Sequence, residues 1–141
     1  MDWTGLVEAA TATNWVTYLG TADRAGRPHV SVVAPGFSHG SVWFATRPGS
    51  KKLRNISENP KVGFHWPVGG QGPGELAAWG TAKTHPTDEH HRIWNAGIFT
   101  YDLGRFFGAP DSPDLAFVEV VIDRARLLGP DFSADRYVRQ D

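Results

Sequence analysis

The chain contains no cysteine and a single methionine. The first absence excludes a disulfide framework, a thiolate nucleophile, and zinc or iron–sulfur held by sulfur. An excess of one charge is missing too. Fourteen Lys and Arg stand against fifteen Asp and Glu, a formal net charge of −1, which speaks against a dedicated nucleic-acid or anionic-membrane binder. No run approaches the roughly 18 apolar residues of a membrane span. The start, Met1-Asp2-Trp3, has neither the basic nor the apolar region of a secretory leader, so a cytoplasmic protein is expected. No serine lies in a G-x-S-x-G elbow, and there is no internal repeat or linker. Aromatic rings are abundant instead: six Trp, eight Phe and three Tyr in 141 residues. Rings dominate core and interface energetics, so some are expected in a subunit interface or against a planar ligand. The length suits one domain over residues 1–141, burying roughly two-thirds of its unfolded surface.

Taken in order, residues 2–13 predict a short helix with Trp3, Leu6, Val7 and Ala10 on one face. Strands are expected over 14–21, 29–37, 41–46, 61–66, 75–84 and 115–123, six in all, from their β-branched and aromatic alternation. Pro35-Gly36 marks a bulge or exit in the second, and Gly80 a bend or close approach in the fifth. Residues 67–74 (P-V-G-G-Q-G-P-G) read as a hairpin loop with a lid role as a minor addition. They open no helix and so fail as a dinucleotide fingerprint. Thr87 predicts a cap for a helix reaching Ala96, with Gly97 after it. Residues 98–113 form an irregular aromatic segment, and 124–141 a tail with at most a short extension. Most links are too short for parallel crossovers. The expectation is a mainly β fold, a small six-stranded antiparallel barrel flanked by helices.

The stretch organising the chain is W-F-A-T-R-P-G-S-K-K-L-R-N-I-S-E-N-P (43–60). A strand passes through a Pro-Gly turn into a short helix, with Ser50 as N-cap and Asn59, before Pro60, as the stop. Its charges break a rule. Lys51 and Lys52 fall in the first turn, Arg47 just before it and Arg54 just after, with no acid until Glu58. Cations at the positive end of a helix are unfavourable by roughly 0.3–1 kcal/mol each. A phosphate would resolve the conflict by accepting the first-turn amides and both ammonium groups. The rival is a solvated basic corner that binds nothing.

Three segments carry a resemblance. G-R-P-H-V-S-V-V (26–33), W-F-A-T…S-K-K-L-R-N-I…N-P (43–60) and E-L-A-A-W-G-T-A (75–82) together resemble the pyridoxamine 5′-phosphate oxidase-like flavin-binding split β-barrels. They stand in that family's order across about residues 14–123. Residues 94–107, followed by P-D-L-A-F-V-E-V, are most similar to its general stress protein 26-like branch. The resemblance implies a cofactor phosphate held by Ser50, Lys51 and Lys52 with Thr46 nearby. It also implies a flavin ring along His29, Val30, Ser31, Val32 and Val33, beside Phe44 and Ala45. FMN is the implied cofactor, with the deazaflavin coenzyme F-420 as the alternative. A homodimer sharing the flavin between subunits is implied as well, and hydride or electron transfer to an unknown small-molecule substrate. A flavin-binding stress protein without turnover is the third reading. Two departures matter. Glu75 stands where the oxidases proper have a flavin-contacting glutamine, and the C-terminal substrate-binding segment with its Trp and Arg is missing, so pyridoxamine phosphate oxidation is not expected.

The remaining candidates are weaker. The six histidines lack metal-ligand spacing, since His90 and His91 are adjacent and His29, His39, His65 and His85 are scattered; no metal is expected. His65 is the candidate axial ligand should a haem bind. Glu119 and Asp123 read as solvent-facing. Trp66, Trp94, Tyr101, Phe106 and Phe107 are candidates to wall a ring or substrate cavity, and Arg105 to meet an anionic substrate. No catalytic side chain is assigned. If the protein is an enzyme, a cofactor carries the chemistry.

Overall fold

The computed structural model describes residues 1–12, 14–68 and 74–140. Helix α1 (Trp3–Thr11) begins at Asp2, whose carboxylate accepts the Gly5 amide at 2.9 Å. It buries Leu6 and Ala10. Then come strands β1 (Thr17–Ala22), β2 (Pro28–Val33), β3 (Gly36–Ser38) and β4 (Ser41–Thr46), and helix α2 (Lys51–Glu58). Strands β5 (Lys61–Pro67) and β6 (Glu75–Thr84) follow. After a 3-10 turn at Thr87–Glu89 come α3 (His90–Trp94), α4 (Leu103–Phe107), β7 (Ala116–Leu128) and β8 (Ala134–Val138).

All described strands join one antiparallel sheet in the order β2-β1-β5-β6-β7-β4-β3, with β8 added beside β7. Strands β2 and β3 lie at its two ends, yet Val33 and Gly36 are three residues apart in the chain. Three residues span at most about 11 Å, so the sheet must curl until its edges approach without pairing. The result is the expected mainly β barrel, left open between two edges.

The strand count differs from the six expected. The segment 29–37 is two strands: the chain leaves β2 at Ala34-Pro35, and Gly36–Ser38 pairs with β4 instead. Pro35 has no amide to donate, which helps to end β2 there. Gly36 sits so tightly that a Cβ would fall 2.8 Å from the Ile98 carbonyl oxygen. The tail supplies the other extra strand, as β7 runs on to Leu128 and β8 returns along it. The helix near residue 87 also differs, for its first turn is 3-10, Thr87 makes no side-chain cap, and its α portion ends at Trp94. Residues 69–73, central to the expected hairpin loop and lid, lie outside the described residues. The amide of Val68 donates to the Gly74 carbonyl at 3.1 Å across that gap.

Alternation along the strands separates two cores. Inside the barrel, Leu19, Val42, Phe44, Phe64, Trp66, Val118 and Val120 pack with α1 and Ile56 of α2. Outside it, Trp43 and Phe117 of the opposite sheet face pack beneath Ile93, Ile98 and Leu103. At Trp79/Gly80 the β6–β7 register slips. A Cβ on Gly80 would overlap the Val121 carbonyl, so the expected close approach is real. Among the described residues no helix is long and apolar enough to cross a membrane.

Candidate functional site

Strand β4 delivers the chain to the turn Arg47-Pro48-Gly49-Ser50, closed by the Ser50 amide donating to the Arg47 carbonyl at 3.1 Å. Proline then glycine at the two central positions is favoured turn chemistry. The Ser50 hydroxyl accepts the Leu53 amide at 3.3 Å and starts α2. Asn59 ends it, as the sequence suggests, its amide reaching the Asn55 carbonyl at 2.7 Å. The first-turn amides of Lys51 and Lys52 have no intrahelical acceptor. No acidic residue occupies that turn.

The two lysines are not equivalent. Lys51 is exposed, whereas Lys52 is half-buried, and burial holds its ammonium below the usual lysine range. None of the ion pairs among the described residues involves Lys52. A partly desolvated cation with no anionic partner, beside unsatisfied helix amides, fits a phosphate group. Arg54 is used differently, its guanidinium donating to the Gly49 carbonyl at 3.1 Å and bracing the turn.

Lys52 lines a cavity of about 170 Å³. Val32, Val33 and Ala34 form one wall, Ala45 lies in another, and Trp15, Tyr101, Phe106 and Phe107 add aromatic faces. Helix α4, capped by Asp102 accepting the Gly104 amide at 2.9 Å, carries the two phenylalanines. The Tyr101 hydroxyl donates to the Ala34 carbonyl at 3.1 Å, and burial pushes its pKa up to about 12. Trp15 meets Tyr101 edge-on at 5.7 Å, and Tyr101 meets Phe106 the same way at 5.7 Å.

Of the residues expected from the sequence, Val32, Val33, Ala45 and Lys52 come together in this slot, with Ser50 and Lys51 on the adjoining turn. Phe44 and Thr46 point the other way, Phe44 into the barrel core. Along β2, alternation turns His29, Ser31 and Val33 to one side, and the buried atoms His29 Nδ1 and Ser31 Oγ have no hydrogen-bond partner. Val30 and Val32 face outward, 69% and 55% exposed, near Tyr18 of β1. Glu75 is held elsewhere, with Oε2 2.9 Å from His65 Nε2 and Oε1 accepting from Arg126 at 3.0 Å. The His65 bond first, then Arg126, holds its carboxyl below the usual range despite some burial. The same bond engages Nε2, one of the two ring nitrogens through which His65 could ligate a haem iron.

Among the candidate wall aromatics, Tyr101, Phe106 and Phe107 do line the slot. Trp66 is instead in the barrel core and Trp94 packs on the outer cluster. Trp15 falls within the strand expected over 14–21, whereas β1 starts only at Thr17, and its place in the slot emerges only from folding. The expectation that Glu119 faces solvent is corrected. Its side chain is 16% exposed, accepting from Ser41 at 2.6 Å and lying 2.9 Å from His85 Nε2.

Comparison with known proteins places this architecture. A protein related to general stress protein 26 of Bacillus subtilis, from Clostridium acetobutylicum, is 15% identical; the match covers 98% of this chain and 96% of that one, with a TM-score of 0.75. The general stress protein 26 of Bacillus anthracis is 19% identical, over 97% and 100% of the two chains, with a TM-score of 0.70. HutZ, the haem storage protein of Vibrio cholerae, is 16% identical over 98% and 95%, with a TM-score of 0.65. At such identities the likeness is one of fold. No curated protein sequence matches the chain. Residues 6–129 match the family model of pyridoxamine 5′-phosphate oxidase, and the chain belongs to that family.

Proposed function

We propose that the protein binds FMN, its phosphate at the start of α2 and its ring against the aromatic slot, and acts as a flavin-dependent oxidoreductase. The observation that carries this reading is Lys52, a half-buried ammonium without an anionic partner among the described residues, lining a cavity walled by Trp15, Tyr101, Phe106 and Phe107. Lys52 and the amides of Lys51 and Lys52 would bind the phosphate, Lys51 would add long-range attraction, and Ser50 would fix the turn. Val32, Val33 and Ala45 would hold the ring and exclude water. When bound, flavin supplies a site that takes up or releases a hydride.

A slot of about 170 Å³ is smaller than the roughly 300–1,000 Å³ of a complete ligand pocket. The ring would therefore extend over the exposed Val30, Val32 and Tyr18, where a second copy of the chain would cover it. The homodimer is thus part of the reading, because the site is incomplete without it. His65, the candidate haem ligand, is engaged by Glu75 through Nε2.

Titration of the apo protein with FMN, followed by flavin fluorescence, tests the reading. Lys52→Ala is expected to weaken binding by roughly tenfold to a hundredfold, the loss of a hydrogen bond to a charged group worth about 1.5–3 kcal/mol. Unchanged affinity would reject the phosphate assignment. A parallel titration with coenzyme F-420 decides between the two cofactors, which would share the same corner.

A further inference from the structure

The register slip between β6 and β7 has an effect on the outer face of the sheet. Before it, Val118, Val120 and Ile122 point into the core; after it, Ala125 does. Asp123 is the extra residue, between Ile122 opposite Gly80 and Arg124 opposite Trp79. The slip turns Arg124 and Arg126 outward on the same face. Strand β8 then places Arg136 directly opposite Arg126. Like charges facing each other across a ladder are destabilising, and arginine cannot relieve the repulsion by losing its proton.

These three arginines line one cavity of about 410 Å³ together with Trp79 and Val138. Among the described residues no carboxylate lines it. Of the nearest acids, Glu75 contacts Arg126 but is shared with His65. Asp123 lies 3.4 Å from Arg139, and Asp135 accepts the N-terminal ammonium at 2.9 Å. Arg126 spends Nη2 on Glu75, while its Nε is buried with no hydrogen-bond partner. Arg124 lies 4.3 Å over the Trp79 ring, which holds its guanidinium in place. The side chain of Arg136 makes no ion pair or hydrogen bond among the described residues.

We infer that this pocket is a second binding site, for a small molecule bearing an oxyanion of two or more negative charges. A phosphate or a polycarboxylate can engage guanidinium groups through paired N–H donors. Such an anion would bridge Arg126 and Arg136 and neutralise the repulsion built into the ladder. The site is separate from the α2 corner, shares no lining residue with the aromatic slot, and does not depend on the cofactor reading.

Calorimetric titration of the intact protein with inorganic pyrophosphate, and separately with citrate, at low ionic strength tests this. Saturable binding of at least one is expected, and the stronger of the two identifies the anion type. Arg136→Gln should weaken it by roughly tenfold or more and raise the Tm of the ligand-free protein, because a repulsive pair is removed. Arg136→Lys should restore part of the affinity. Lys52→Ala should leave the Arg136-dependent binding unchanged, which separates this pocket from the α2 corner. No binding of either anion, binding indifferent to Arg136→Gln, or binding abolished by Lys52→Ala would each overturn the inference.

Discussion

The side-chain amide of Asn55 donates to the hydroxyl of Thr21 at 3.0 Å, both residues being buried. This bond fastens α2 to β1 and so sets where the first turn of the helix points relative to the slot. Asn55→Ala would leave the Thr21 hydroxyl in the core without its donor. A loss of about 1–3 kcal/mol in urea unfolding is expected, together with weaker FMN binding as the helix start loses its anchor. Unchanged midpoint and affinity would show that α2 is positioned by Ile56 packing alone.

Lys52 sets stability against binding. Burial lowers its folded-state pKa below the ordinary 10.5, so the folded protein holds that proton less tightly than the unfolded chain does. Stability should therefore rise as pH climbs through the lowered value towards the ordinary one. Lys52→Met removes the desolvated charge and should raise the Tm of the apo protein at neutral pH. For a partly exposed group the gain is under about 1 kcal/mol, or about 1–3 °C. The variant should also lose the alkaline rise. A lower Tm for Lys52→Met at neutral pH would mean that the ammonium stabilises the fold and is not waiting for an anion.

What was legible in the sequence was local. The Ser50 cap, the Asn59 stop and the tight approach at Gly80 depend on residues within a turn of one another or on the lack of a side chain. The charge conflict at Lys51 and Lys52 was readable for the same reason. The split of β2 from β3, the return of β8 and the burial of Glu119 depend on partners far along the chain. Glu119 is bonded by His85, 34 positions before it, and Glu75 is claimed by Arg126, 51 positions away. Trp15 reads as an ordinary strand aromatic until Tyr101 and Phe106 are brought against it. Alternation gave the face a residue occupies, but not what would be packed over that face.

The Glu119 cluster gives a pH prediction. Burial pushes its carboxyl up, but bonds from Ser41 and His85 outweigh that and hold it below its ordinary 4.5. Glu89, bonded first by His85 and then drawn by Arg92, is lowered as well. A lowered folded-state value contributes stability above the ordinary pKa, and the contribution fades as pH falls through the folded one. Thermal melts between about pH 7 and pH 3 should show Ser41→Ala less stable than wild type at neutral pH. The gap should narrow under acid as Glu119 protonates. A gap that is constant with pH would assign the effect of Ser41 to packing.

The outward valines of β2 give the sharpest test of assembly. Val30 is 69% exposed on an edge strand, with Val32 and Tyr18 beside it, and a lone edge strand of this kind is prone to pairing or packing with another chain. Val30 lines no part of the aromatic slot, so changing it leaves that slot and the α2 corner intact, although the ring is proposed to extend over it. Val30→Glu should cost the isolated fold less than about 0.5 kcal/mol, as exposed substitutions do. Through like-charge repulsion and desolvation, it should convert a dimer to a monomer in sedimentation. If the second copy completes the ring site, FMN affinity must fall with the dimer, although every phosphate-binding group is still present. A monomeric variant that binds FMN as tightly as wild type would locate the whole cofactor site within one chain.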